Sequence, residues 1–347
     1  MQQEDSRLLH IGWQEMIWSA KVFASFATIA FVVSMVTYLF MIIFSQPQAL
    51  NEAIVTTAQT ATAKVELGAR YTDPLWAVFI FNTIAAFTAS AGTGLFLCIH
   101  RVLYEEMVVR LRYPMYASLS CRVERLFSPL YRLMRRMALR FKPELSEYQD
   151  GGPEPEKDED TSQASIWDVC GYTRNDYRTF ASIIPYTIPV LVLMANGSLV
   201  GILLAFFTFN GGLSGFQIAG VAGIPAGLFY SLAYFMISLL PHGIIEFPAL
   251  FLVTALGYRF ACTQSDIVMR EGLFLGESVD NIKKDVMRTN TITKSYLRSA
   301  YLWKMLGLAI MLLFVAAYIE MRLTPHIVEV GMGYVDLVVG MLLDGYI

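Results

Sequence analysis

Residues Val22 to Phe44 read VFASFATIAFVVSMVTYLFMIIF, an apolar run with no charged residue in it. A helix needs about 20 such residues to cross the hydrocarbon core of a bilayer, so this run predicts a spanning helix. Trp13, Trp18 and Lys21 precede it and supply an interfacial anchor. The same reading extends outward. Leu75 to Ile99 forms a second apolar stretch, opened by Asp73-Pro74, where proline suits the first helical turn. Ala181 to Phe209 and Tyr301 to Met321 are two more, and the chain is also apolar from about Gln217 to Phe260.

Composition agrees with this reading. Of 347 residues, 55% are hydrophobic and only 16% charged, whereas soluble domains carry about 25% charged residues. The expected fold class is all-α: a polytopic transmembrane helical bundle. The net charge of −3 gives no argument for a nucleic-acid partner, and membrane lipids are the expected surroundings. Cys98, Cys121, Cys170 and Cys262 are scattered without metal-ligand spacing, so free thiols are expected, and no metal site or cofactor. No cleavable signal peptide is expected, because the first apolar run is long and lacks a small-residue cleavage site.

Basic residues set the orientation. Thirteen of the 26 Lys and Arg lie between Arg101 and Phe180, several beside span ends, which places this segment and the N-terminus in the cytoplasm of a multi-pass cell-membrane protein. Arg122 to Phe141 alternates apolar and basic faces and predicts an amphipathic helix, lying on the inner leaflet, on a partner or on the protein's own cytoplasmic ends. Glu147 to Ser165 is acidic and Pro/Gly-rich and reads as a disordered linker. Ile166 to Thr179, with Trp167, Tyr172 and Tyr177, reads as an interfacial elbow. Six basic residues between Cys262 and Ala300 must also face inward, which requires one net crossing between Asn210 and Arg259. A re-entrant glycine-rich segment, or a helix break at Pro241-His242-Gly243, satisfies this. About five net spans result, with a broken or re-entrant region at 210–260. The expected divisions are 1–21 (cytoplasmic), 22–100 (two spans and an external loop), 101–180 (cytoplasmic insertion), 181–321 (transmembrane core) and 322–347 (external tail).

Polar residues inside apolar runs are the functional candidates. His242 and Glu246 are four residues apart, hence on one helical face, and a carboxylate at bilayer depth needs a partner or a cavity. Two readings stay open: an intramembrane acid/base pair for proton-coupled transport, or a structural clamp at a broken helix. A zinc-protease reading fails on ligand count, since the chain has four histidines and no HExxH. Asn82 and Asn196 are the other polar insertions, and all three spans' polar groups could converge near the midplane. Gly197, Gly201, Gly243 and Gly257 are expected to allow close helix packing.

Phe79-Ile80-Phe81-Asn82, then Asn196-Gly197-Ser198-Leu199-Val200-Gly201, then Pro241-His242-Gly243-Ile244-Ile245-Glu246-Phe247-Pro248-Ala249, ending at Gly257, resemble in that order the stage II sporulation protein M family of integral membrane proteins. The resemblance covers about Leu75 to Met321. The insertion at 101–180 separates the first two motifs more widely than the compact family pattern, and the tail beyond Arg322 has no counterpart. The resemblance implies five spans and a membrane component without catalytic residues. In sporulating members it implies partnership with peptidoglycan-degrading proteins during engulfment. Two function classes follow: a non-enzymatic envelope scaffold, or a permease-like subunit moving a lipid, small solute or proton past Asn82, Asn196, His242 and Glu246. A homo-oligomer is expected for either.

Overall fold

The computed structural model of the chain describes residues 10–43, 52, 72–129, 132, 133, 136 and 166–344. The acidic linker, nearly all of the expected external loop and most of the second half of the basic amphipathic helix lie outside the described residues. Among these residues the fold is helical throughout.

Helix α1 is Trp13–Ile43, and α2 is Pro74–Phe87. Asp73 caps α2 by accepting the Leu75 N–H at 2.9 Å, with Pro74 at the first helical position, as the sequence predicts. A π-helical turn, Thr88–Gly92, leads to α3, Thr93–Phe96. Next come α4, Ile99–Arg112, and α5, Pro114–Leu126. After a 3-10 turn at Ile166–Val169 follows α6, Arg174–Ile183, and then α7, Thr187–Ala219. Helix α8 is Ile224–Arg270 and α9 is Val279–Leu297. A π-helical turn, Ile319–Leu323, separates α10, Ala300–Tyr318, from α11, Thr324–Asp344.

Among the described residues, four helical stretches are long and apolar enough to cross a membrane: Trp13–Ile43, Pro74–Arg112, Arg174–Arg270 and Ala300–Met341. The third contains α7 and α8, which fold back on each other at Gly220. This residue sits at φ +61, where L side chains pay a steric cost. The break expected in 210–260 therefore falls at this turn. At Pro241-His242-Gly243 the helix is unbroken, and α8 runs 47 residues through both Pro241 and Pro248. Each proline removes one backbone hydrogen bond, but packed membrane helices accommodate that loss without ending.

The chain divides into two compact units. One comprises Ile11–Ala89, Val190–Ala255 and Trp303–Ile347. Within it α1 packs along α7 and α8. The Phe23 ring lies 5.2 Å from that of Phe247 and 5.6 Å from that of Phe251, and the Thr254 hydroxyl donates to Ser19 Oγ at 3.0 Å. Tyr38 stacks on Phe209 at 4.0 Å. Gly197 and Gly201 face the backbone of Phe23 and Ala27, so a Cβ at either would overlap a carbonyl. Gly211 and Gly215 of α7 meet Gly227 and Gly223 of α8 at backbone contact, which closes the hairpin. Alanines and branched residues from α2, the π turn after it, α8 and α10 (Ala86, Ala89, Ala249, Val253, Ala309, Leu313) form a core. Ile29, Val32, Val33, Val36, Leu39 and Phe40 leave α1 with a broad exposed apolar face, as contact with lipid requires.

The other unit comprises Met1–His10, Ser90–Pro189 and Leu256–Leu302. Its core gathers Met107, Ile166, Trp167, Tyr177, Phe274, Ile282 and Val286. Trp167 is buried and donates its indole N–H to the Gly276 carbonyl at 2.8 Å. Ile166, Trp167 and Tyr177 are thus core-forming, with apolar partners about 100 residues further along the chain. Arg110 is 5% exposed and forks onto two acids. Its Nε donates to Glu106 at 2.7 Å and its Nη1 to Glu124 at 2.8 Å. Glu124 also accepts the Gly171 N–H at 2.6 Å, tying α4, α5 and the following segment together. All four cysteines are free, as expected. Burial pushes the Cys170 thiol up to about 12, which favours its neutral form within the core.

Candidate functional site

The polar residues singled out in the sequence divide into two sets. Asn196 donates its amide to the Val192 carbonyl of its own helix at 2.9 Å, bonding within α7. Asn82 reaches across to α8 and donates Nδ2–H to Glu246 Oε1 at 3.2 Å. His242, one turn before Glu246, lies on the same face of α8. The convergence of polar insertions is therefore real for Asn82, His242 and Glu246.

A fourth residue joins them. Glu320, in the π-helical turn between α10 and α11, places a carboxylate oxygen in a group with Glu246 and the His242 imidazole, all three ligand atoms within 4.8 Å of one another. A π turn admits one extra residue per turn, which swings side chains out of the α-helical phase, and such turns often mark functional sites. Sequence reading missed Glu320 because Ile319-Glu320-Met321-Arg322 resembles the polar end of a span. The signal available was its distance from the start of α10: Glu320 lies about 20 residues after Ala300, still inside one continuous apolar helix.

Electrostatics make this arrangement demanding. Two carboxylates at such a distance, both ionised, would repel by roughly 3 kcal/mol at an effective dielectric of about 20. Asn82 offers one hydrogen bond to Glu246 and no charge. The nearest basic residue in sequence, Arg322, is committed elsewhere, forming an ion pair with Asp73 at 2.6 Å. The Nδ1 of His242 is buried without a hydrogen-bond partner. All four side chains are nonetheless only half-buried, so the group is not sealed on every side.

The glycines of the motif play unequal parts. Gly197 and Gly201 seat α7 on α1, whereas a Cβ at Gly243 would meet only side chains of its own helix. Gly257 is buried in α8.

The stage II sporulation protein M family model matches residues 22–325. The chain belongs to this family. The match begins at the first apolar run, well before Leu75, and its bounds take in the whole 101–180 insertion and Glu320. No curated protein and no solved structure is significantly similar to the chain. In this stage II sporulation protein M family member, the Pro241 to Ala249 motif is thus the α8 side of a four-residue polar cluster drawn from α2, α8 and the π turn after α10.

Proposed function

We propose that this family member is a non-enzymatic integral membrane scaffold in envelope organisation, crossing the membrane five times through α1, α2, α7, α8 and α10. The observation that carries this reading is the backbone-level contact of α7 with α1 and α8 at Gly201, Gly211 and Gly215, which makes the membrane unit a fixed platform. The family's association with peptidoglycan-degrading partners supplies the kind of protein it would hold. In this reading the chain is a cell-membrane protein, and the excess of Lys and Arg in 101–180 supports a cytoplasmic N-terminus and 101–180 segment, with α11 outside. The exposed apolar side chains of α11, among them Tyr334, Leu337 and Met341, leave surface for assembly into a homo-oligomer.

A second reading is favoured by the cluster of His242, Glu246 and Glu320, the kind of intramembrane ionisable group that lines transport pathways. In it the chain is a permease-like subunit moving a lipid, small solute or proton. Proteoliposome flux assays separate the two. The scaffold reading expects no flux above empty vesicles from the wild type or from Glu246→Gln. Wild-type flux that Glu246→Gln abolishes, with expression and oligomeric state intact, would replace it with the permease.

A further inference from the structure

We propose that His242, Glu246 and Glu320 bind a divalent first-row transition metal ion of the zinc or manganese type. The proposal holds whether the chain is a scaffold or a permease. Three ligand atoms from two separate elements lie within 4.8 Å of one another. An ion about 2.0–2.2 Å from each donor holds neighbouring donors about 3.0–3.5 Å apart, so small carboxylate rotations complete the site. The donor set is one imidazole nitrogen and two carboxylates, without thiolate. That set suits zinc, manganese or ferrous iron better than the softer cuprous ion, and the imidazole disfavours magnesium and calcium.

Three further observations point the same way. When ionised, the two carboxylates carry a charge of −2, which a divalent cation neutralises and which no basic side chain among the described residues is seen to pair with, Arg322 being paired with Asp73. The Nδ1 of His242 is buried and has no other partner. The Asn82 amide holds Glu246 by one oxygen, the usual role of a residue that orients a metal ligand from behind. The π turn at Ile319–Leu323 presents the third ligand. Metal sites in helical bundles are built in this way, from side chains of facing helices.

The test uses the full chain in nanodiscs, in a His326→Ala background, because exposed His326 and Glu329 lie 3.8 Å apart and offer a surface alternative. Chelator-stripped protein is titrated with Zn2+ and Mn2+, with Mg2+ for comparison. Expected are saturable binding of about one Zn2+ or Mn2+ per chain, a rise in Tm on loading, and weakening of more than about tenfold in Glu320→Gln and in His242→Ala. Asn196→Ala, altering a polar residue bonded only within α7, should bind as the parent does. No saturable binding up to millimolar metal, or binding unchanged in both variants, overturns the proposal. Should the variants fail to fold, the Mn2+-loaded parent decides. Pulsed electron paramagnetic resonance showing one coupled imidazole nitrogen supports the site, and an all-oxygen spectrum overturns it.

Discussion

Asp285 shows burial and two neighbours acting together on one carboxylate. Its carboxylate accepts the N–H of Phe274 at 2.7 Å, and Phe274 is held at φ 66, an unusual conformation for a large side chain. Burial raises the Asp285 pKa above the ordinary aspartate value, the Phe274 hydrogen bond opposes the rise, and the charge of Glu271 adds to it. A raised folded-state value means that folding favours the protonated form. The contribution to stability is therefore full below the unfolded aspartate value and is lost as pH rises through the folded value. Asp285→Asn keeps an acceptor for Phe274 and removes the titration. In thermal melts from acid to neutral pH, the variant should gain on the wild type as pH rises. Parallel profiles would mean that Asp285 does not set this slope.

Helix contacts separate two uses of glycine. Gly220 is needed for its backbone conformation, since nothing lies within 4 Å of a Cβ built there. Gly223 is needed for space, because a Cβ would strike the Gly215 carbonyl. Gly220→Ala should cost about 1 kcal/mol through its left-handed φ alone. Gly223→Leu should separate α7 from α8 and cost more than the alanine change at Gly220. Comparison of detergent unfolding midpoints tests the order, and equal losses would contradict it. The elements themselves were largely legible: long uncharged runs announced α1, α2, α7 and α10, and Asp73-Pro74 marked a helix start. The hairpin turn was less so, because six glycines between Asn210 and Gly227 look alike in sequence while only the fold shows which supplies the positive φ. The proline-histidine-glycine stretch misled for a related reason. Proline signals a break locally, and tertiary packing overrode the signal.

Across the whole molecule, the chain combines a membrane unit packed through small residues with a second unit built around aromatic rings and the Arg110 fork. The second unit was hidden from sequence reading because its core joins Trp167 and Tyr177 to Phe274 and Val286, residues far apart in the chain. The candidate site was half legible for the same reason. His242 and Glu246 announce each other four residues apart, whereas Glu320 is brought to them only by the fold. Orientation is directly measurable. In a cysteine-free background, the proposed topology expects a cysteine at Asp160 to be shielded from a membrane-impermeant reagent in intact cells, and one at His326 to react. The reverse pattern would invert the protein in the membrane.

The π turn at Ile319–Leu323 also fixes the phase of the helix that follows it. Such a turn closes i→i+5 bonds in place of i→i+4, and losing one position there would restore an unbroken α-helix while turning everything after it by about 100°. Gly331, which now faces Ile237 of α8, would be rotated off its seat. Length variation should therefore be tolerated around the acidic linker and avoided across these five positions, where one missing codon would rephase the whole of α11.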